Sequence, residues 1–130
     1  VTPDFVFELP MLLIRYRTGK VVLYRNHFIN FPNDLTKDDE VVIVSWLECK
    51  GMFATEECHK EYYRRQYNSY ISCFGEGIVF YHHGFVESDV QDKKVICIDK
   101  MPEIRSFQAK EDALKSDINP FVVARYKEEF

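Results

Sequence analysis

Residues 41–57, VVIVSWLECKGMFATEE, decide the fold. Val41 to Val44 are four consecutive β-branched residues, and a short apolar run bounded by turn residues reads as a strand buried on both faces. The strand delivers the only tryptophan of the chain, Trp46, and stops at Lys50-Gly51. A lone tryptophan at a strand end roots a core or lines a pocket, and Trp46 is the leading candidate for a binding surface. Beyond the turn, Thr55 is placed to cap a helix. Glu56 and Glu57 stand in its first turn and Arg64 and Arg65 later, the order a helix dipole favours, which predicts a helix over 56–66.

Working outward, residues 5–16 are apolar except for Glu8 and Arg15, and Pro10 divides them into two expected short strands at an edge or bulge. Thr18-Gly19 makes a turn into 21–31, read as the second arm of a hairpin. Residues 70–74 and 78–81 read as strands separated by Gly75-Glu76-Gly77, 95–98 as a fully buried strand, and 104–107 as a brief pairing segment. Helix-favouring residues follow from Lys110, divided by Asn119-Pro120. The expected fold is mainly β (β-rich α+β), a distorted small β-barrel with one or two short helices. One interaction domain spans 1–130, and the start at Val1 without an initiating Met suggests a piece of a longer protein.

A chain of 130 residues with 46% hydrophobic and 15% aromatic content sustains one core. Its formal charge of −4 argues against a sequence-independent polyanion binder, which needs a basic face to release counterions. The acidic group Asp38, Asp39 and Glu40 reads as a solvated loop, because adjacent carboxylates converge on a cation only in a folded, glycine-containing loop. Cys49, Cys58, Cys73 and Cys97 include no C-x-x-C pair and read as reduced thiols without a structural zinc, which suits an intracellular protein. No apolar run approaches the ~20 residues that span a bilayer, so no membrane partner is expected.

Catalytic signatures are missing. Cys58 and His59 diverge by about 100° on a helix, too far for a nucleophile and its base. His82 and His83, as strand neighbours, are expected to point one inward and one to water. With no glycine-rich phosphate loop, H-E-x-x-H or G-x-S-x-G, the chain reads as a non-enzyme with no catalytic residue, metal or cofactor. A binding role asks less, since rings at strand ends hold a peptide, a methylated ammonium or a stacked base. Trp46, Glu48, Tyr81, His82 and His83 are the candidate ligand-binding residues. The alternative is an OB-like or Tudor-like barrel holding single-stranded nucleic acid through Lys60, Tyr63, Arg64 and Arg65 in KEYYRRQY.

From Val41 onward, VSWLECK (44–50), ATEE (54–57), GIVFYHH (77–83) and KKVICID (93–99) form an order that resembles the bromo-adjacent homology (BAH) domain over about half of the chain. That resemblance implies a distorted barrel acting as a non-enzymatic, nuclear, chromatin-associated module. Its partner would be a protein or peptide, a histone tail or a member of a gene-silencing assembly. Trp46 would carry over as a cage wall, with Glu48 standing where a second ring is often found.

Overall fold

A computed structural model describes residues 2–25, 35–86 and 94–105. The strands are β1 (Phe5–Arg15), β2 (Val21–Tyr24), β3 (Glu40–Lys50), β4 (Gly77–Tyr81), β5 (Val95–Ile98) and β6 (Glu103–Arg105), hydrogen-bonded in the order β5-β4-β3-β1-β2-β6. Between β3 and β4 lies one unbroken helical segment: α1 (Glu56–Tyr62), a π-helical stretch (Tyr63–Tyr67) and α2 (Asn68–Phe74). The fold is mainly β, as expected. Two compact units divide the chain, Val1–Pro10 with Val44–Met101, and Met11–Ile43 with Pro102–Phe130. Among the described residues no helix is long and apolar enough to cross a membrane. The readings of 26–31 and of the chain beyond Arg105 lie outside the described residues.

In the first unit β3, β4 and β5 run parallel, with Trp46 opposite Gly77, Lys50 opposite Tyr81 and Gly77 opposite Val95. Parallel neighbours require a crossover, which the helical segment supplies between β3 and β4. Alternation along each strand sends Trp46, Val79, Tyr81, Val95 and Cys97 into one cluster with Tyr67 and Tyr70 of the helical segment. The indole of Trp46 meets Tyr70 edge-on at 5.1 Å between centroids and lies 6.1 Å from Tyr67. Its Nε1–H donates to the Gly75 carbonyl at 2.8 Å, so the one polar atom of the ring is satisfied inside the core. Gly77 faces the indole with no side chain of its own, which lets β4 approach the ring.

Thr55 caps α1 as expected, its hydroxyl accepting the Cys58 N–H at 3.2 Å. The helix does not stop at Gln66. Residues 70–74, expected as a strand, form α2, because Tyr70 gains more by packing on Trp46 than its β-propensity gains in a ladder. Gly75, at φ 90°, ends the segment in the left-handed region that glycine adopts freely. Pro10 does not split β1: the antiparallel ladder to β2 begins only at Leu12, so the missing N–H of Pro10 breaks no bond to that strand.

The second unit packs Leu12, Ile14, Val22, Tyr24, Leu35, Val41 and Ile43 into its own cluster. Arg15 grips Glu40 with one guanidinium nitrogen at 2.9 and 3.0 Å from the two carboxylate oxygens. Asp39 is not the solvated loop residue expected. It is 4% exposed, and its carboxylate accepts the N–H groups of Arg17 at 2.9 Å and Thr36 at 2.8 Å. Burial alone pushes its carboxyl up, but these amide donors outweigh that and hold it below the usual carboxylate range. A group depressed in the folded state contributes stability that is present above its unfolded pKa and is lost as pH falls through the folded one. Thermal melts between about pH 5 and pH 2 should therefore lose less melting temperature in Asp39→Asn than in the unsubstituted chain. Parallel curves would show that Asp39 carries no such linkage.

Candidate functional site

Period-two alternation puts Glu48 and Lys50 on the face of β3 that Trp46 occupies, at the carboxyl end of the parallel strands. That end is where open sheets with helical crossovers place their ligands. Glu48 and Lys50 are nearly buried there, with side chains 5% and 14% exposed and Nζ 3.4 Å from Glu48 Oε2. Removing two charges from water costs several kcal/mol each unless each is well partnered.

The partners come from three directions. The tripeptide Thr2-Pro3-Asp4 lies at the strand end, where the Asp4 N–H donates to Glu48 Oε1 at 2.9 Å and Asp4 Oδ2 accepts the Cys49 N–H at 2.8 Å. Tyr70 on α2 donates to Glu48 Oε2 at 3.0 Å and also reaches the Thr2 carbonyl at 3.1 Å. Gln66 in the π-helical stretch presents Oε1 to Lys50 Nζ at 2.7 Å, while the ring of Tyr62 lies 4.1 Å from that ammonium, a cation–π contact. Tyr62 is itself fixed by donating to Met52 Sδ at 3.3 Å. Glu48 is thus reached by the main chain of Asp4, 44 residues away, and by the ammonium of Lys50, 2 residues away, while the Asp4 carboxylate lies on the intervening Cys49 N–H.

The surrounding groups stay protonated. Burial, then the Asp4 and Glu48 carboxylates, push the Cys49 thiol up, so the residue between Glu48 and Lys50 is no thiolate nucleophile. Burial and the bond to Glu48 push the Tyr70 hydroxyl above its ordinary range, and burial does the same for Tyr67 and Tyr81. Tyr70 therefore acts as a hydrogen-bond donor that orients Glu48.

Of the residues expected from sequence, Glu48 alone lies in this constellation. Trp46 is 0% exposed and shows no face to solvent, because the aromatic side chains of the helical segment cover it. Tyr81 is also buried, its hydroxyl 2.7 Å from His59 Nδ1 and 3.0 Å from the Tyr67 hydroxyl. His82 and His83 do not split between core and water. β4 ends at Tyr81, both histidines are exposed in the following turn, and His82 stacks on Phe80 at 4.2 Å. In the alternative set, Lys60 pairs with Glu56 at 2.7 Å, Arg64 and Arg65 share Glu61 at 2.7 and 2.6 Å, and Tyr63 packs half-buried against His59 and Tyr67. Asp4, Lys50, Gln66 and Tyr70 were missed. The available signal was a carboxylate and a lysine two apart at a strand end.

Comparison with known proteins gives this geometry its setting. The chain is 30% identical over 86 residues to "CDAN1-interacting nuclease 1" of Gallus gallus, covering 66% of this chain and 22% of that protein. Against the Homo sapiens protein of the same name it is 40% identical over 86 residues, 66% of this chain and 21% of that protein. With the Xenopus laevis protein the match is 42% over 45 residues, 35% of this chain and 15% of that protein. The chain thus spans about a fifth of the length of the curated relatives it matches across 86 residues. No solved structure matches.

These findings correct the expectation of a BAH-like, non-enzymatic chromatin and gene-silencing module, since the relatives carry the name of a nuclease. VSWLECK, GIVFYHH and KKVICID resembled BAH segments because short apolar strands share composition, whereas here they supply three neighbouring parallel strands. The family described as "Protein of unknown function TPD sequence-motif" matches residues 27–101, and the letters of that motif also spell Thr2-Pro3-Asp4 ahead of the matched span. The chain belongs to this TPD family.

Proposed function

We propose that Asp4, Glu48 and Lys50 form the hydrolytic centre of a metal-dependent nuclease, of which this chain is the part that cuts phosphodiester bonds. The observation that carries the reading is the gathering of Asp4, Glu48 and Lys50 at the carboxyl end of a parallel strand, with the Asp4 N–H and the Lys50 ammonium on Glu48 and the Asp4 carboxylate on the adjoining Cys49 N–H, supported by the name of the relatives. Among the described residues no three His, Cys, Asp or Glu side chains gather as a metal cage, so the cation that suits this donor set is one of the magnesium class, which binds through one or two carboxylates and takes its other ligands from water and phosphate. The set offers carboxylate oxygens, and Asp4 Oδ1 takes no hydrogen bond among the described residues. When bound, such a cation supplies Lewis-acid polarisation of the phosphoryl group and a more acidic water.

The chain's own residues supply the rest. Asp4 and Glu48 would hold the cation, and the Lys50 ammonium faces charge that develops on the phosphoryl oxygens. Gln66, Tyr62 and Tyr70 are positioning residues: the first two fix the ammonium and the third fixes Glu48. The name of the relatives also records a protein partner, and a protein partner is part of the proposal for this chain.

The test incubates the full-length protein with end-labelled single- and double-stranded DNA and RNA, with magnesium or with EDTA. Cleavage is expected only with magnesium, and Asp4→Asn should abolish it while melting is preserved. Cleavage that persists in EDTA or in Asp4→Asn would sink the assignment.

A further inference from the structure

A second polar feature lies in the other unit, apart from the residues assigned to hydrolysis. A groove of about 360 Å³ opens at the turn between β1 and β2, where Arg17 and Lys20 meet Arg105 of β6. Thr18 and Thr36 add two hydroxyls to its wall. Both oxygens of Asp39, the carboxylate of the wall, are taken up by the main chain and by the Thr36 hydroxyl. Arg105 is held by Glu103 at 2.8 and 2.9 Å and reaches the Tyr24 hydroxyl at 3.3 Å, so it belongs to the scaffold. Lys20 stands 3.9 Å from Glu103, at the limit of an ion pair, and is 58% exposed. The Arg17 guanidinium makes no ion pair within 4 Å and no hydrogen bond among the described residues; its main chain is fixed by Asp39, and its charge helps to hold that carboxylate ionised at longer range.

We infer that this groove binds a phosphate group, with Arg17 and Lys20 as the contacting cations and Thr18 as a hydroxyl donor. A guanidinium fork and an ammonium beside a hydroxyl match the three-oxygen face of a phosphate better than a planar carboxylate. Because the chain as a whole is acidic, at −4, attraction of an anion here depends on the local group and not on the overall field. The phosphate belongs either to a nucleic acid strand or to a small free phosphate.

Binding in EDTA tests the groove without the hydrolytic reading, because a metal-dependent nuclease is silent there. The full chain is titrated onto a fluorescently labelled oligothymidylate of 12 nucleotides at several salt concentrations, and separately melted with inorganic phosphate at fixed ionic strength. Arg17→Ala with Lys20→Ala is the test variant, both being exposed turn residues, and Lys37→Ala is the surface control. If the source is a strand, the double variant should weaken oligonucleotide binding at least 10-fold. The slope of log affinity against log salt should then fall by about 1.4, at about 0.7 per lost phosphate contact. If the source is a small phosphate, inorganic phosphate should raise the melting temperature of the unsubstituted chain and not of the double variant. Equal behaviour of the double variant and Lys37→Ala, or no response to either probe, overturns the inference.

Discussion

Replacing Lys50 by methionine is expected to slow phosphodiester cleavage by about 10²–10³-fold, the usual loss when one preorganised donor facing developing charge is removed. Methionine keeps the unbranched stem and lets its sulfur lie against the Tyr62 ring that now receives the ammonium, so packing is retained. Glu48 keeps its bonds from the Asp4 N–H and the Tyr70 hydroxyl. The defect should therefore appear in the single-turnover rate on a labelled oligonucleotide, with the far-ultraviolet circular dichroism spectrum unchanged. A rate within threefold of the unsubstituted protein would remove Lys50 from the chemistry. A second variant, Gln66→Leu, leaves the ammonium in place but deletes its 2.7 Å acceptor, and should give a smaller loss of about 10-fold.

The largest expected effect on stability comes from Gly77→Ala. A Cβ at this position would fall inside the van der Waals envelope of Trp46 Cε2 and Cδ2, and neither ring nor strand has room to yield. The indole is pinned by its bond to Gly75 and by Tyr67 and Tyr70, while Gly77 is held in register between Trp46 and Val95. Overpacking of a fixed core site costs about 3 kcal/mol, which corresponds to roughly 10 °C in melting temperature. Trp46 is the only tryptophan, so its fluorescence reports the change directly in a urea titration. Stability within about 0.5 kcal/mol of the unsubstituted chain, the ordinary range for a neutral surface change, would show that the strand does shift.

Strands were legible wherever an apolar run was long or strictly bounded. Residues 41–46, 78–81 and 95–98 form β3, β4 and β5 because continuous burial leaves such runs no other place. Residues 70–74 were misread because five apolar and small residues carry no period, and only contact with Trp46 decides between helix and strand. The site was harder still. A rare tryptophan draws attention, yet its size makes it a core residue, while the proposed centre lies two and four positions later at Glu48 and Lys50. Asp4 had no visible partner, since its hydrogen bonds to Glu48 and Cys49 close loops of 44 and 45 residues. Gln66 and Tyr70 look like ordinary helix residues until the sheet is placed against them.

The π-helical stretch Tyr63–Tyr67 lies between Tyr62, which supports Lys50, and Tyr70, which supports Glu48. A wide turn of this kind holds one residue more than an α-helical turn. Deleting a single residue from it would regularise the backbone and preserve helicity, yet it would swing everything downstream by about 100° and draw it back about 1.5 Å. Tyr70 would then leave Glu48 while Tyr62 stayed on Lys50. The two supporting tyrosines are therefore clocked to each other by one inserted residue, and length variation within these five positions would uncouple the support of Lys50 from that of Glu48 where ordinary substitution would not.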